Sequence, residues 1–129
     1  MPSPLGRLSA EERRALKKTS QPDWVTPMKA TLVRGPFSDP GWIYELKLDG
    51  ERCISYVKRG RARLLTRNNK IQNNSYPEIA EALESRSRGD AILDGEVVAL
   101  KDGAPSFSKL QRRMHVRNPE MALRSEVGV

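Results

Sequence analysis

Hydrophobic and charged residues alternate most clearly in Trp42–Arg52, which reads W-I-Y-E-L-K-L-D-G-E-R. Successive side chains of a strand point to opposite faces, so the alternation predicts a strand. Trp42, Tyr44, Leu46 and Leu48 would share one face, and Ile43, Glu45, Lys47 and Asp49 the other. Downstream, Cys53–Lys58 and Ala62–Thr66 are β-prone runs flanking Arg59-Gly60-Arg61, which predicts a β-hairpin. Pro77 suits the first turn of a helix continued by Glu78, Ile79, Ala82 and Leu83 and fading within 85–89. Ala91–Leu93 and Val97–Leu100 read as two apolar runs joined through Asp94-Gly95-Glu96. Asp102-Gly103 reads as a turn and Ser106–Arg113 as a short helix. Val116–Val129 shows no clear period.

Upstream, residues 1–8 read as a loose leader. Ser9-Ala10-Glu11-Glu12 has capping-box spacing, which predicts a short basic helix to about Lys18. Pro22, Pro27, Pro36 and Pro40 keep 19–41 from forming one regular element, with Met28–Val33 a candidate short strand. The division expected is a leader and helix over 1–21 and a domain over 22–129. Strands interleaved with helices place that domain in the α+β class, with a mainly antiparallel sheet and flanking helices.

Composition narrows the partners. The chain has 129 residues, 37% hydrophobic and 30% charged, with a net charge of +7. That charge points to phosphate-bearing partners, nucleotide or nucleic acid. No apolar run approaches the roughly 20 residues that span a bilayer, so a membrane role is not expected. Cys53 is the only cysteine, which excludes an intrachain disulfide and a thiolate metal cluster and suits a reducing cytoplasm. Seven basic residues stand against one acid between positions 51 and 70. Within this basic hairpin Arg59, Arg61 and Arg63 would share one strand face by period two. They are candidates for phosphate-backbone contact, or else a charged edge that resists aggregation.

Lys47 is the candidate nucleophile. Lys-x-Asp-Gly-x-Arg gathers an amine, acids able to hold a metal, and a cation for phosphate or carboxylate. A lysine attacks only as the free amine, and Glu45 and Asp49 oppose loss of its proton. The chemistry therefore needs a metal ion on the acids and cations such as Arg52 nearby. Asp94-Gly95-Glu96 is a second acidic site, either a β-turn or a place where Glu96 accepts hydrogen bonds from a ribose or ligates a metal. Phe107 is a core residue or a platform for a purine base.

Glu45-Leu46-Lys47-Leu48-Asp49-Gly50-Glu51-Arg52 resembles the nucleophile motif of the covalent nucleotidyltransferases, which include ATP-dependent DNA ligases, RNA ligases and mRNA capping enzymes. Thr66-Arg67-Asn68, Leu93-Asp94-Gly95-Glu96-Val97-Val98 and Ser106-Phe107-Ser108-Lys109-Leu110-Gln111 resemble the motifs that follow, in the same order and spacing. Pro27–Leu32 and Pro40-Gly41-Trp42 add a likeness to bacterial end-joining ligases. The resemblance covers about residues 22–115 and implies part of an ATP-grasp-like adenylation domain.

What it implies is specific. Lys47 would attack the ATP α-phosphorus and hold AMP. Glu45 would lie beside adenine, Arg52 and Glu96 near the ribose, and Arg67 near phosphate or ribose, with Phe107 packing on the base. Asp49 and Glu96 would serve Mg²⁺ or Mn²⁺. The implied partners are ATP, nicked or broken duplex DNA, and end-joining proteins or fused polymerase and nuclease domains, in a bacterial cytoplasm near the nucleoid. The family's later acidic motif, Lys-x-Lys motif and OB-fold domain have no counterpart in this sequence. An incomplete ligase, unable to adenylate itself alone, is therefore the expectation. RNA ligase or capping chemistry, and a non-catalytic basic nucleic-acid-binding module, are the other readings that these residues allow.

Overall fold

The computed structural model describes residues 4–17 and 19–129. Its centre is a three-stranded antiparallel sheet of β1 (Glu51–Lys58), β2 (Arg61–Thr66) and β3 (Ala91–Val97), in the order β2-β1-β3. The mainly antiparallel α+β architecture expected from the pattern is the one observed. Cys53 to Val57 are all buried, because β1 is paired along both edges and covered on both faces. Its odd-numbered apolar residues join Leu64, Tyr76, Ala80, Val97, Ala99 and Leu110 in the main core. Its even-numbered Ile54 and Tyr56 meet Leu65, Ile92 and Trp24 on the opposite face.

The hairpin forms around Arg59-Gly60, with Lys58 opposite Arg61. Both turn residues have positive φ, 51° and 75°, the geometry that matches strand twist in a two-residue loop. The outer edge of β2 is not left bare. Asn73 accepts a hydrogen bond from Leu64 N and donates to Ala62 O, while Gln72 N donates to Leu64 O. Glu84 then accepts from Ala62 N.

Helix α1 (Ala10–Ala15) has the expected capping box between Ser9 and Glu12. It ends before Lys18, a position outside the described residues, as are the first three residues of the leader. Helix α2 (Pro77–Arg86) begins at the expected proline, and α3 (Phe107–Met114) is capped by Ser106. The turn at Asp102-Gly103 joins β4 (Leu100–Lys101) to β5 (Ala104–Pro105). A fourth helix, α4 (Pro119–Leu123), lies in the tail that shows no clear period. Its signal is local: Asn118 caps Glu120 N and Met121 N, and Pro119 takes the first turn.

Three expectations are corrected. Trp42–Asp49 is not a strand, and Ile43 and Leu46 are 89% and 90% exposed. Alternation supplies two faces but no hydrogen-bond partner, and none of the described strands pairs with this stretch. Trp42 and Tyr44 instead meet Phe37, with ring centroids 5.1 and 6.1 Å apart. Met28–Val33 likewise forms no strand. Asp94-Gly95-Glu96 is not a turn between two runs; it lies inside β3, where β1 pairs with it residue by residue. The ladder satisfies the backbone groups that a turn would otherwise have folded back.

Arg113 joins α3 to the start of α2 and to the C-terminal tail. It is 1% exposed, and its guanidinium donates to Ser75 O, Val127 O and both oxygens of Glu78. Removing one member of a buried pair strands the other charge. Arg113→Ala is expected to lower unfolding free energy by about 3 kcal/mol, read as a lower urea midpoint. Substitution of exposed Arg112 should leave that midpoint nearly unchanged.

Candidate nucleotide-binding cleft

Strand register decides which side chains meet. In the β1–β3 ladder Arg52 lies directly opposite Glu96, and in the β1–β2 ladder Cys53 lies opposite Thr66. Arg67 therefore emerges at the same end of the sheet as Arg52 and Glu96, although 15 and 44 residues separate it and Glu96 from Arg52 along the chain. The Thr66–Lys70 turn is built by Thr66, whose N–H donates to Lys70 O and whose Oγ1 accepts from Asn68 N and Lys70 N. Asn69 takes the left-handed conformation that closes it, φ 60°.

A cleft of about 530 Å³ opens at this end. Gly50, Arg52, Arg67, Glu96 and Phe107 line it, and Gln72 and Ser75 contribute to its lining. A neighbouring cleft of about 810 Å³ shares Arg52, Arg67, Asn68 and Glu96 and continues towards Trp24 and Pro27. Gly50 is required sterically: a β-carbon there would run into Val97 O and the side chains of Glu96 and Val98. The wall opposite the Thr66–Lys70 turn is residues 114–117. Ser75 Oγ pins it by donating towards Met114 O and Val116 O. Among the described residues Arg67, Lys70 and Arg117 of this cleft form no ion pair, so its lining is cationic.

Arg52 is held rather than free. Its Nε and Nη2 donate to Asp94 at 2.9 and 2.6 Å, and Nη1 donates to Met28 O at 2.6 Å. The Arg52 guanidinium keeps the Asp94 carboxyl below its ordinary range, and Asp94 in turn tightens the hold of Arg52 on its proton. Asp94 was open to identification from sequence, since it lies two residues before Glu96 and shares its face. Behind the cleft the buried Tyr76 hydroxyl donates to Glu51 at 2.8 Å. Burial first, and then that carboxylate, push the phenol above its usual range.

The other sequence candidates lie elsewhere. Glu45, Lys47 and Asp49 sit on the exposed 42–49 stretch and line neither cleft. Asp49 and Glu96 are hard oxygen donors of the kind Mg²⁺ takes alongside water and substrate phosphates. No cluster of three or more metal-ligating side chains occurs among the described residues. Arg59 does not share a strand face with Arg61 and Arg63, because it occupies the hairpin turn. Arg61 lies 3.9 Å from Glu84, and Arg63 donates to Asp23 O and stacks on Tyr56, 5.1 Å from the ring centroid.

Residues 27–127 match the model of the ATP dependent DNA ligase domain. The chain belongs to that family. It is 42% identical over 95 residues to the multifunctional non-homologous end joining protein LigD of Pseudomonas aeruginosa, covering 73% of this chain and 11% of that one. It is 38% identical over 106 residues to a DNA ligase of Haloarcula marismortui, covering 78% and 19%. The ligase-like protein LigB of the Bacillus subtilis SPbeta prophage is 35% identical over 91 residues, covering 70% and 33%. Among solved structures, mycobacterial DNA ligase D complexed with ATP and MES, and the ligase domain of M. tuberculosis LigD, each superpose with a TM-score of 0.50. Each has 32% identity and covers 57% of this chain and 25% of the other. The ligase-family chain thus spans between a tenth and a third of the length of these curated relatives.

The Arg52–Asp94 pair gives a pH dependence. The folded Asp94 carboxyl loses its proton more readily than the unfolded one. Its contribution is therefore complete above the ordinary carboxylate range and is lost as pH falls through the lower folded value. Denaturant midpoints measured from pH 6 down to pH 3 should fall less steeply in Asp94→Asn than in the parent chain.

Proposed function

We propose that this chain is the nucleotide-holding part of a DNA ligase adenylation domain, with ATP in the cleft at the end of β1. One observation carries the proposal: four segments distant in sequence deliver Arg52, Arg67, Glu96 and Phe107 to a single cationic cleft beside Gly50. In this reading Glu96 and Arg52 hold the ribose, Phe107 packs on the adenine, and Arg67 contacts a phosphate or the ribose. Mg²⁺ or Mn²⁺, when bound, neutralises triphosphate charge, and Asp49 and Glu96 offer it oxygen ligands. In the whole ligase, with the 42–49 stretch brought to the cleft, the Lys47 Nζ lone pair would form the bond to the α-phosphorus. Pyrophosphate leaves with the electrons of the broken P–O bond, and the amine proton passes to water. In the whole ligase the AMP moves to a DNA 5′-phosphate and is displaced by a 3′-hydroxyl. That final step makes nicked or broken duplex DNA the partner.

Calorimetric titration tests the nucleotide step. ATP with Mg²⁺ should bind the chain, and Glu96→Ala or Arg67→Ala should weaken it by about tenfold; no binding, or binding indifferent to both changes, refutes the reading. Lys47 stands outside the cleft, so ATP labelled in the α-phosphate is expected to leave no covalent label on this chain. Label that disappears in Lys47→Ala would instead mean that 42–49 reaches the cleft unaided.

DNA contact through the hairpin is tested separately. Binding of a nicked duplex should weaken steeply with added salt, and Arg59→Ala with Arg61→Ala should flatten that salt dependence. An unchanged slope would remove the hairpin from the interface.

A further inference from the structure

The 42–49 stretch combines an open backbone with an open apolar surface. Among the described residues, the backbone from Ile43 to Asp49 takes part in no hydrogen bond. Trp42 is 61% exposed, Ile43 89% and Leu46 90%. Phe37 packs against both Trp42 and Tyr44, so these two side chains lie on one side, the side that Leu46 and Leu48 share by alternation. No residue of the stretch has a positive φ, so it enters a strand ladder without backbone strain. A run that is apolar on one side and unpaired along its edges is a template for a further strand.

Its own order of charges fits it to a second copy of itself. Laid antiparallel on another copy about Leu46, Tyr44 stands opposite Leu48 and Leu46 opposite Leu46. On the other face Glu45 stands opposite Lys47 twice, once on each side of the two-fold axis. Moving the axis to Glu45 or to Lys47 sets like charges against each other. An axis on Tyr44 removes both ion pairs, and one on Leu48 runs the second copy into β1, whose two edges are taken. An axis between residues sets apolar positions opposite charged ones. From this complementarity we infer that 42–49 is a self-association surface, through which two copies of the chain join as an antiparallel strand pair centred on Leu46. In that pair the Lys47 ammonium lies against Glu45 of the other copy, which favours its charged form, so the dimer withholds the amine from attack. The inference is independent of the nucleotide reading, because the stretch lines neither cleft.

Sedimentation equilibrium of the full chain across a wide concentration range tests this pairing. The unsubstituted chain should pass from monomer to dimer as concentration rises. Glu45→Lys or Lys47→Glu alone places like charges opposite each other on both sides of the axis and should weaken the dimer by about tenfold. The two changes together restore opposite charges and should restore the dimer. Register is read by mild oxidation of cysteine variants. Leu46→Cys should form a covalent dimer, whereas Ile43→Cys, about as exposed but opposite Asp49, should not. These positions are exposed, so urea midpoints of the variants should stay close to that of the parent chain. A chain that stays monomeric at every concentration overturns the inference. So does a dimer indifferent to the single charge reversals, a dimer that the double reversal fails to restore, or equal cross-linking from positions 43 and 46.

Discussion

Antiparallel pairing of β1 with both neighbours is the constraint on which the cleft depends. The β1–β3 register sets Arg52 opposite Glu96, and the β1–β2 register brings Thr66, and hence Arg67, to the same end. Strand side chains alternate with period two, so a slip of one residue would turn Arg52 towards the main core and exchange the residues of the two apolar clusters. Burial of Cys53–Val57 on both faces makes that slip costly. The registry of the core and the composition of the site are one and the same choice.

The second wall of the cleft depends on Arg113. Its guanidinium ties α3 to the start of α2 through Ser75 and Glu78, and to the tail through Val127. Ser75 then fixes the backbone of Met114 and Val116. Exposed Arg117 follows directly on that hydrogen-bonded backbone and lines the same cleft as the Thr66–Lys70 turn. A buried arginine is a weak source of net stability, but it selects one arrangement of the surrounding carbonyls. The placement of the site follows from that selection.

Arg52 and Lys47 illustrate two kinds of positioning in one motif. Arg52 lies on β1, where Asp94 and Met28 O hold its side chain. Five residues earlier, Lys47 belongs to a stretch that no described strand pairs with. The close packing of Gly50 against Val97 and Glu96 marks the boundary between them. The residues proposed to hold the nucleotide therefore stand on the paired sheet, while Lys47, the candidate nucleophile, lies on the exposed side of that boundary.

Much of this was legible in the sequence where the cause is local. The Ser9–Glu12 capping box, Pro77 at a helix start, Ser106 before α3 and the hairpin about Gly60 depend on neighbours a few residues away. The motif residues Arg52, Arg67, Glu96 and Phe107 were also legible as a set. Period two wrongly made a strand of Trp42–Asp49, and turn chemistry wrongly made a bend of Asp94-Gly95-Glu96. In both cases the outcome depended on whether a distant backbone was present to pair. Gln72 and Arg113 carried no local signal, because burial and partnership belong to the folded chain. By itself the sequence determined the locally signalled elements and the family, and it nominated the residues proposed to carry the chemistry. Only the tertiary structure decided which of them share a cleft, because hydrogen-bond ladders and burial are long-range interactions that no local pattern contains.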